Sequence, residues 1–129
     1  MSVDFRSETR PEYLRVEIAG DFSHEEMLPL CDRFFAEAAD AGRNAVLVDA
    51  RGISGRQPMM AERYELAVRI AELQARYEPR IRVALMGSHA LIHPERFGEI
   101  VARNRGADAR AFTEEAPALD WLLGGKRPD

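Results

Sequence analysis

Val3-Asp4-Phe5-Arg6 and Tyr13-Leu14-Arg15-Val16-Glu17-Ile18 alternate apolar and polar residues, the period of a strand with one wet face. Thr9-Arg10-Pro11-Glu12 between them has turn chemistry, so the two segments predict an antiparallel hairpin at a sheet edge. After Gly20-Asp21-Phe22, Ser23 followed by Glu26 has the spacing of a capping box, and a helix is expected from there to about Ala41, closed by Gly42. Pro29 inside it removes one backbone hydrogen bond and predicts a disturbance of the first turns.

Asn44-Ala45-Val46-Leu47-Val48-Asp49 is an almost continuous apolar run, the mark of a strand covered on both faces. A loop from Asp49 to Pro58 is expected next, then an amphipathic helix from Pro58 to Tyr77 with a wide apolar face. On its wet side Glu65/Arg69 and Glu72/Arg76 pair four residues apart. Ile81 to Met86 reads as a further strand, and Pro94 suits the first turn of a third helix that carries Phe97, Ile100 and Val101 inward and stops near Gly106. Ala109-Arg110-Ala111-Phe112 is a short last strand, and Thr113 caps a helix over 114–123 that Gly124-Gly125 ends. The resulting order, β-β-α-β-α-β-α-β-α, predicts an α/β fold. Right-handed crossovers give a mostly parallel five-stranded sheet with one antiparallel edge strand and about four helices. One domain over residues 1–125 is expected, with a flexible tail over 126–129.

Composition narrows the function classes. The chain has 129 residues and is 46% hydrophobic, which suffices for one core, and 18 basic against 22 acidic residues give a formal charge of −4. That balance argues against a nucleic-acid partner, which demands a basic face. Cys31 is the one cysteine, so no internal disulfide and no multi-cysteine metal site exists. Its place in an apolar helical pattern reads as a small buried hydrophobe. No apolar stretch approaches the roughly 18 residues of a membrane span and the N-terminus lacks a signal-peptide pattern, so a cytoplasmic protein without membrane contact is expected.

The element order, together with "YLRVEIAGDFS", "NAVLVDARGISG", "RVALMGS" and the closing "ARAFTEEAPALDWLL", resembles a STAS domain, in particular the SpoIIAA-like family of anti-sigma factor antagonists. Ala118, Trp121 and Leu122 match the family's habitual ending, and the likeness runs from Val3 to Leu123. The resemblance implies a non-enzymatic regulatory or protein-interaction module, and the wide apolar stripe of the 58–77 helix, more than one sheet face covers, makes a protein partner or a second copy of the chain the expected binding partner. In anti-sigma antagonists the loop after the central strand carries an Asp-Ser type pair whose serine is phosphorylated. Here Ser54 is the candidate phosphosite, with Ile53 in place of the aspartate. Because the STAS fold is similar to that of lipid-carrying Sec14-type domains, the alternative is a binder of a small anionic or amphipathic ligand.

In an open parallel sheet, ligands and partners gather beyond the carboxyl ends of the strands. The candidate surface there comprises Asp49, Arg51, Ser54, Arg56, Met59, Met60, Ser88 and His89. Arginine forks and helix-start amides suit an anion, whereas Met59, Met60, Met86 and Tyr64 suit either core filling or an adaptable apolar contact. Catalytic readings fare worse. Gly52-Ile53-Ser54-Gly55 closes one position early for a hydrolase elbow, and no Walker loop occurs. His89 and His93 are four apart, but Pro94 opposes a helix through His93, so neither a metal nor a cofactor is expected. His24 reads as isolated and exposed, Trp121 as an anchor of the last helix, and Arg103, Arg105 and Arg110 as a solvated face.

Overall fold

The computed structural model describes residues 2–92 and 108–124. The helix expected after Pro94 and the tail 126–129 lie outside the described residues. The elements are β1 (Val3–Thr9), β2 (Leu14–Asp21), α1 (His24–Asp40), β3 (Ala45–Ser54), α2 (Met60–Arg76), β4 (Arg82–Met86), α3 (His89–Ile92), β5 (Ala109–Phe112) and α4 (Glu115–Gly124). They build one five-stranded sheet in the order β1-β2-β3-β4-β5. The β1–β2 pair is antiparallel, as the alternating hairpin predicts, and every other pair is parallel.

The apolar run of β3 explains the layering, since residues 45–50 are all buried and alternate between two cores. Val46, Val48 and Ala50 join Phe34, Phe35 and Leu73 beneath α1 and α2. Ala45 and Leu47 join Ala84, Met86, Ala118 and Leu122 beneath α4. Phe35, fully buried, contributes about 2 to 3 kcal/mol of apolar burial by itself. Cys31 belongs to the first core, where burial pushes its thiol up to about 12, so it behaves as the small hydrophobe its pattern suggests. Trp121 is half-buried against the second core, with the Arg82 guanidinium 4.3 Å over its ring.

Several boundaries depart from the pattern, each for a tertiary reason. β3 does not end at Asp49 but runs to Ser54, because Gly52, Ile53 and Ser54 pair with Ala19, Gly20 and Asp21 after a register shift. The expected loop therefore shrinks to residues 55–59, and α2 starts at Met60 while Pro58 is buried outside it. α1 runs without interruption through Pro29. At its start Ser23 accepts from the Glu26 N–H at 3.4 Å, but the Glu26 carboxylate does not close the box. It accepts instead from the N–H groups of Ser2 (3.0 Å) and Val3 (2.8 Å), which hold it below the usual carboxylate range. α4 begins at Glu115, and the Glu114 carbonyl takes the Ala118 N–H, one residue past the cap expected at Thr113.

Candidate functional site

The residues gathered on sequence grounds fall into three places. On the α4 side of the sheet, Asp49 is 6% exposed, one residue before the end of the buried part of β3. Its Oδ1 accepts from Arg51 Nε (2.9 Å) and from the Arg51 backbone N–H (3.1 Å). Its Oδ2 accepts from Arg51 Nη2 and Arg15 Nη2, both at 2.9 Å. These donors, Arg51 first, outweigh the desolvation of the carboxylate and hold it at about 2. Glu115 at the start of α4 lies 3.4 Å from Arg15 and 3.7 Å from Arg51. Both arginines are thus engaged by carboxylates, and the group is a closed ion network that ties β2, β3 and α4 together.

The second group lies where β3 passes into α2. Ser54 is exposed, and its hydroxyl donates to Asp21 Oδ1 (3.2 Å) and approaches the Gly20 carbonyl (3.4 Å). The Ser54 carbonyl in turn accepts the Phe22 N–H at 2.8 Å, fastening the end of β3 to the segment that leads into α1. Arg56 lies 5.0 Å over the Phe22 ring and grips the Glu62 carboxylate with both terminal nitrogens, at 2.8 and 2.7 Å. Glu62 also accepts the Met59 N–H at 2.8 Å, one of the orphan donors at the start of α2. Arg56 first and that N–H second draw its carboxyl down to about 2. Met59, Met60 and Tyr64 are left exposed beside this lattice, at 60%, 55% and 42%. Only Ala67, Leu73 and Gln74 of α2 are buried, so the wide apolar face outruns what the sheet covers.

Ser88 and His89 form the third group, at the end of β4. Ser88 caps α3, its Oγ accepting the Leu91 N–H at 3.2 Å and its carbonyl the N–H groups of Leu91 and Ile92 at 3.0 Å. His89 therefore opens a helical turn. His24, read as isolated, is half-buried, with Nε2 2.6 Å from Glu65 Oε1 across the α1–α2 seam.

Sequence reasoning missed Arg15, Glu115, Asp21 and Glu62. The alternation in β2 places Arg15 and Glu17 on one face, and Glu62 stands three residues after the residue it caps, so two of the four had a local signal. It also missed an apolar cavity of about 130 Å³ between α2 and the sheet, lined by Phe22, Leu66, Ile70, Leu85 and Leu91 with Arg63 beside it. Arg63 donates to the Leu91 carbonyl and has no carboxylate partner among the described residues; desolvation lowers its pKa. Among the described residues no cluster of His, Cys, Asp or Glu could hold a metal ion, and no helix is long and apolar enough to cross a membrane.

A mixed five-stranded sheet with this strand order, an antiparallel β1–β2 edge and helices on both faces defines the SpoIIAA-like, STAS-type fold. A solved structure that shares it is an anti-sigma factor antagonist from Mycobacterium paratuberculosis, with a TM-score of 0.61 and 13% identity over 95% of each chain. Another solved structure is an uncharacterized protein of the DUF3478 family with a SpoIIAA-like fold from Shewanella loihica PV-4. It is 23% identical over 94% of this chain and 93% of that one, with a TM-score of 0.41. No protein-family model matches the sequence, and no curated protein matches it either.

Proposed function

We propose that this chain is a non-enzymatic regulatory module that binds a protein partner through the surface where β3 passes into α2. The observation that carries the reading is the exposure of Met59, Met60 and Tyr64 together at the start of α2, beside Ser54. Met60 and Tyr64 are four apart and share a helix face, and unbranched methionine adapts to a partner's contour. The polar lattice of Asp21, Ser54, Arg56 and Glu62 presents those side chains from a fixed backbone. Kinship of fold with an anti-sigma factor antagonist supports a regulatory role.

The test is capture with cross-linking from source cells by the native chain and by Met60→Glu/Tyr64→Glu, followed by calorimetry with the purified partner so identified. The double variant should bind at least about tenfold more weakly, a loss that two truncated anchor contacts readily produce. Equal affinities would remove this surface from the proposal.

A second reading has its own observation, the apolar cavity with Arg63 at its side. A partly desolvated guanidinium next to apolar walls, bonded to the Leu91 carbonyl and without a carboxylate partner among the described residues, suits an amphipathic carboxylate whose tail enters the cavity. Decanoate should then raise the melting temperature of the native chain and decanol should do so less. Ala67→Trp, which fills the cavity, should abolish both shifts, and the absence of any shift in the native chain would count against this reading.

A further inference from the structure

β1 is an edge strand of seven residues with an unbroken register against β2, and it contains neither lysine nor proline. Lysine and proline are two devices by which edge strands avoid pairing; charge in general is another, and the charges β1 carries, Asp4, Arg6 and Glu8, alternate in sign, which a partner strand of complementary order can match. The Arg10 N–H donates to the Tyr13 carbonyl and the Asp21 N–H donates to the Ser2 carbonyl. Alternation in an antiparallel ladder then turns the backbone groups of the even-numbered residues of β1 towards β2 and those of Val3, Phe5, Ser7 and Thr9 outwards. Glu26 Oε1 occupies the Val3 N–H at 2.8 Å. The outward backbone groups of Phe5, Ser7 and Thr9 have no partner among the described residues.

We propose that β1 pairs with β1 of a second copy of this chain, antiparallel across a two-fold axis at Ser7. In this register Ser7 faces Ser7 and Phe5 faces Thr9 with reciprocal backbone bonds, and the two five-stranded sheets become one. Arg6 faces Glu8 of the second copy, and Glu8 faces its Arg6, on the sheet surface away from α1. Both side chains are exposed, Arg6 at 81% and Glu8 at 65%.

The neighbouring registers fail for stated reasons. An axis at Arg6 sets Arg6 against Arg6 and Asp4 against Glu8, and an axis at Glu8 sets Glu8 against Glu8 and Arg6 against Arg10. Centring on Phe5 requires the Val3 N–H that Glu26 holds. Centring on Thr9 sets Ser7 against Pro11, which has no N–H. Among these axes, the one at Ser7 alone uses both backbone groups of Phe5, Ser7 and Thr9 and opposes unlike charges, with the Val3 carbonyl left outside the ladder opposite Pro11.

Sedimentation velocity over a concentration series tests this. The native chain should dimerise, and Arg6→Glu should raise the dimer dissociation constant about tenfold or more, because two unlike pairs become like pairs. Adding Glu8→Arg to that variant should restore dimerisation, although the Arg6–Glu17 contact (2.5 Å) within one copy is lost in both. Ser7→Pro removes an N–H that points away from β2 and should give a folded monomer by circular dichroism. If it fails to fold, the charge reversal decides the matter. A native chain that stays monomeric throughout overturns the proposal, as does a dimer insensitive to Arg6→Glu or one that Met60→Glu abolishes instead.

Discussion

Asp49 Oδ1 accepts the backbone N–H of Arg51, two residues on in the same strand, at 3.1 Å, where the β2–β3 register shifts. The carboxylate thus satisfies a donor at the irregularity while its other contacts bind the Arg51 and Arg15 guanidiniums. Its pKa is lowered from 3.8 to about 2, chiefly by Arg51. A group depressed in the folded state stabilises the fold above its unfolded pKa and loses that contribution as pH falls through the folded value. Asp49 accordingly contributes about 2 kcal/mol at neutral pH, lost between about pH 4 and pH 2. Asp49→Asn should be less stable by about 2 to 3 kcal/mol at pH 7, since two guanidiniums lose their nearest anion and keep the more distant Glu115. Its urea midpoint should fall less steeply than the native one between pH 4 and pH 2; an unchanged acid slope would show the network to be idle.

Gln74 makes a second prediction. It is 2% exposed, and its Nε2 donates to the carbonyls of Ile81 (2.6 Å) and Asp108 (2.9 Å) while Oε1 accepts the Asp108 N–H (2.5 Å). One side chain of α2 therefore satisfies the backbone entering both β4 and β5. Gln74→Leu fits the volume but strands the Asp108 N–H and takes a donor from the Ile81 carbonyl, while the Asp108 carbonyl keeps the Val83 N–H at 3.2 Å, and should cost about 2 to 3 kcal/mol in chemical unfolding. A cost below about 1 kcal/mol would mean that water replaces the amide.

How far the chain can be read without its structure follows from how local each signal is. The hairpin, the buried run of β3, the Ser23 cap and the parallel order rest on periodicity and capping within a few residues, and each appears where the pattern puts it. The course of β3 through Gly52 to Ser54 is not local, because β2 supplies its partners and overrides the turn preference of glycine. The same holds for the ion network, in which Arg15 meets a carboxylate 100 positions away at Glu115. His24 looked solitary for that reason too, its partner Glu65 standing on another helix. Of the candidate surface, the exposed methionines were visible as surplus apolar positions. The carboxylates that occupy Arg51 and Arg56 were not, and they weaken the case for an anion between those arginines.

The glycines around Ser54 separate two costs. Gly20 and Gly55 both have positive φ, 114° and 85°. A Cβ on Gly55 would meet nothing nearer than 3.6 Å, so Gly55→Ala should cost only the backbone strain, about 1 to 2 kcal/mol. On Gly20 it would lie 2.1 Å from the Ser2 carbonyl oxygen, the acceptor of the Asp21 N–H. Gly20→Ala must therefore part β1 from β2 at that end and should cost about 3 kcal/mol or more. Calorimetric melting of the pair checks this, and equal losses would contradict it.

Ser54 gives the last prediction, one that rests on the proposed partner surface. Its hydroxyl donates to Asp21 Oδ1 at 3.2 Å, so a negative group in its place removes a donor and sets two anions side by side. The fold should tolerate this, because Ser54 is exposed and its backbone bond with Phe22 is untouched. Ser54→Asp should melt within a few degrees of the native chain, yet bind the captured partner about tenfold more weakly as the Asp21 side of the surface is pushed apart. Ser54→Ala, neutral and small, should retain binding to within about threefold, since an exposed neutral hydrogen bond contributes little. Titration calorimetry on the three chains decides it: native affinity in Ser54→Asp would rule out Ser54 as a switch, and equal losses in both variants would make it an ordinary contact.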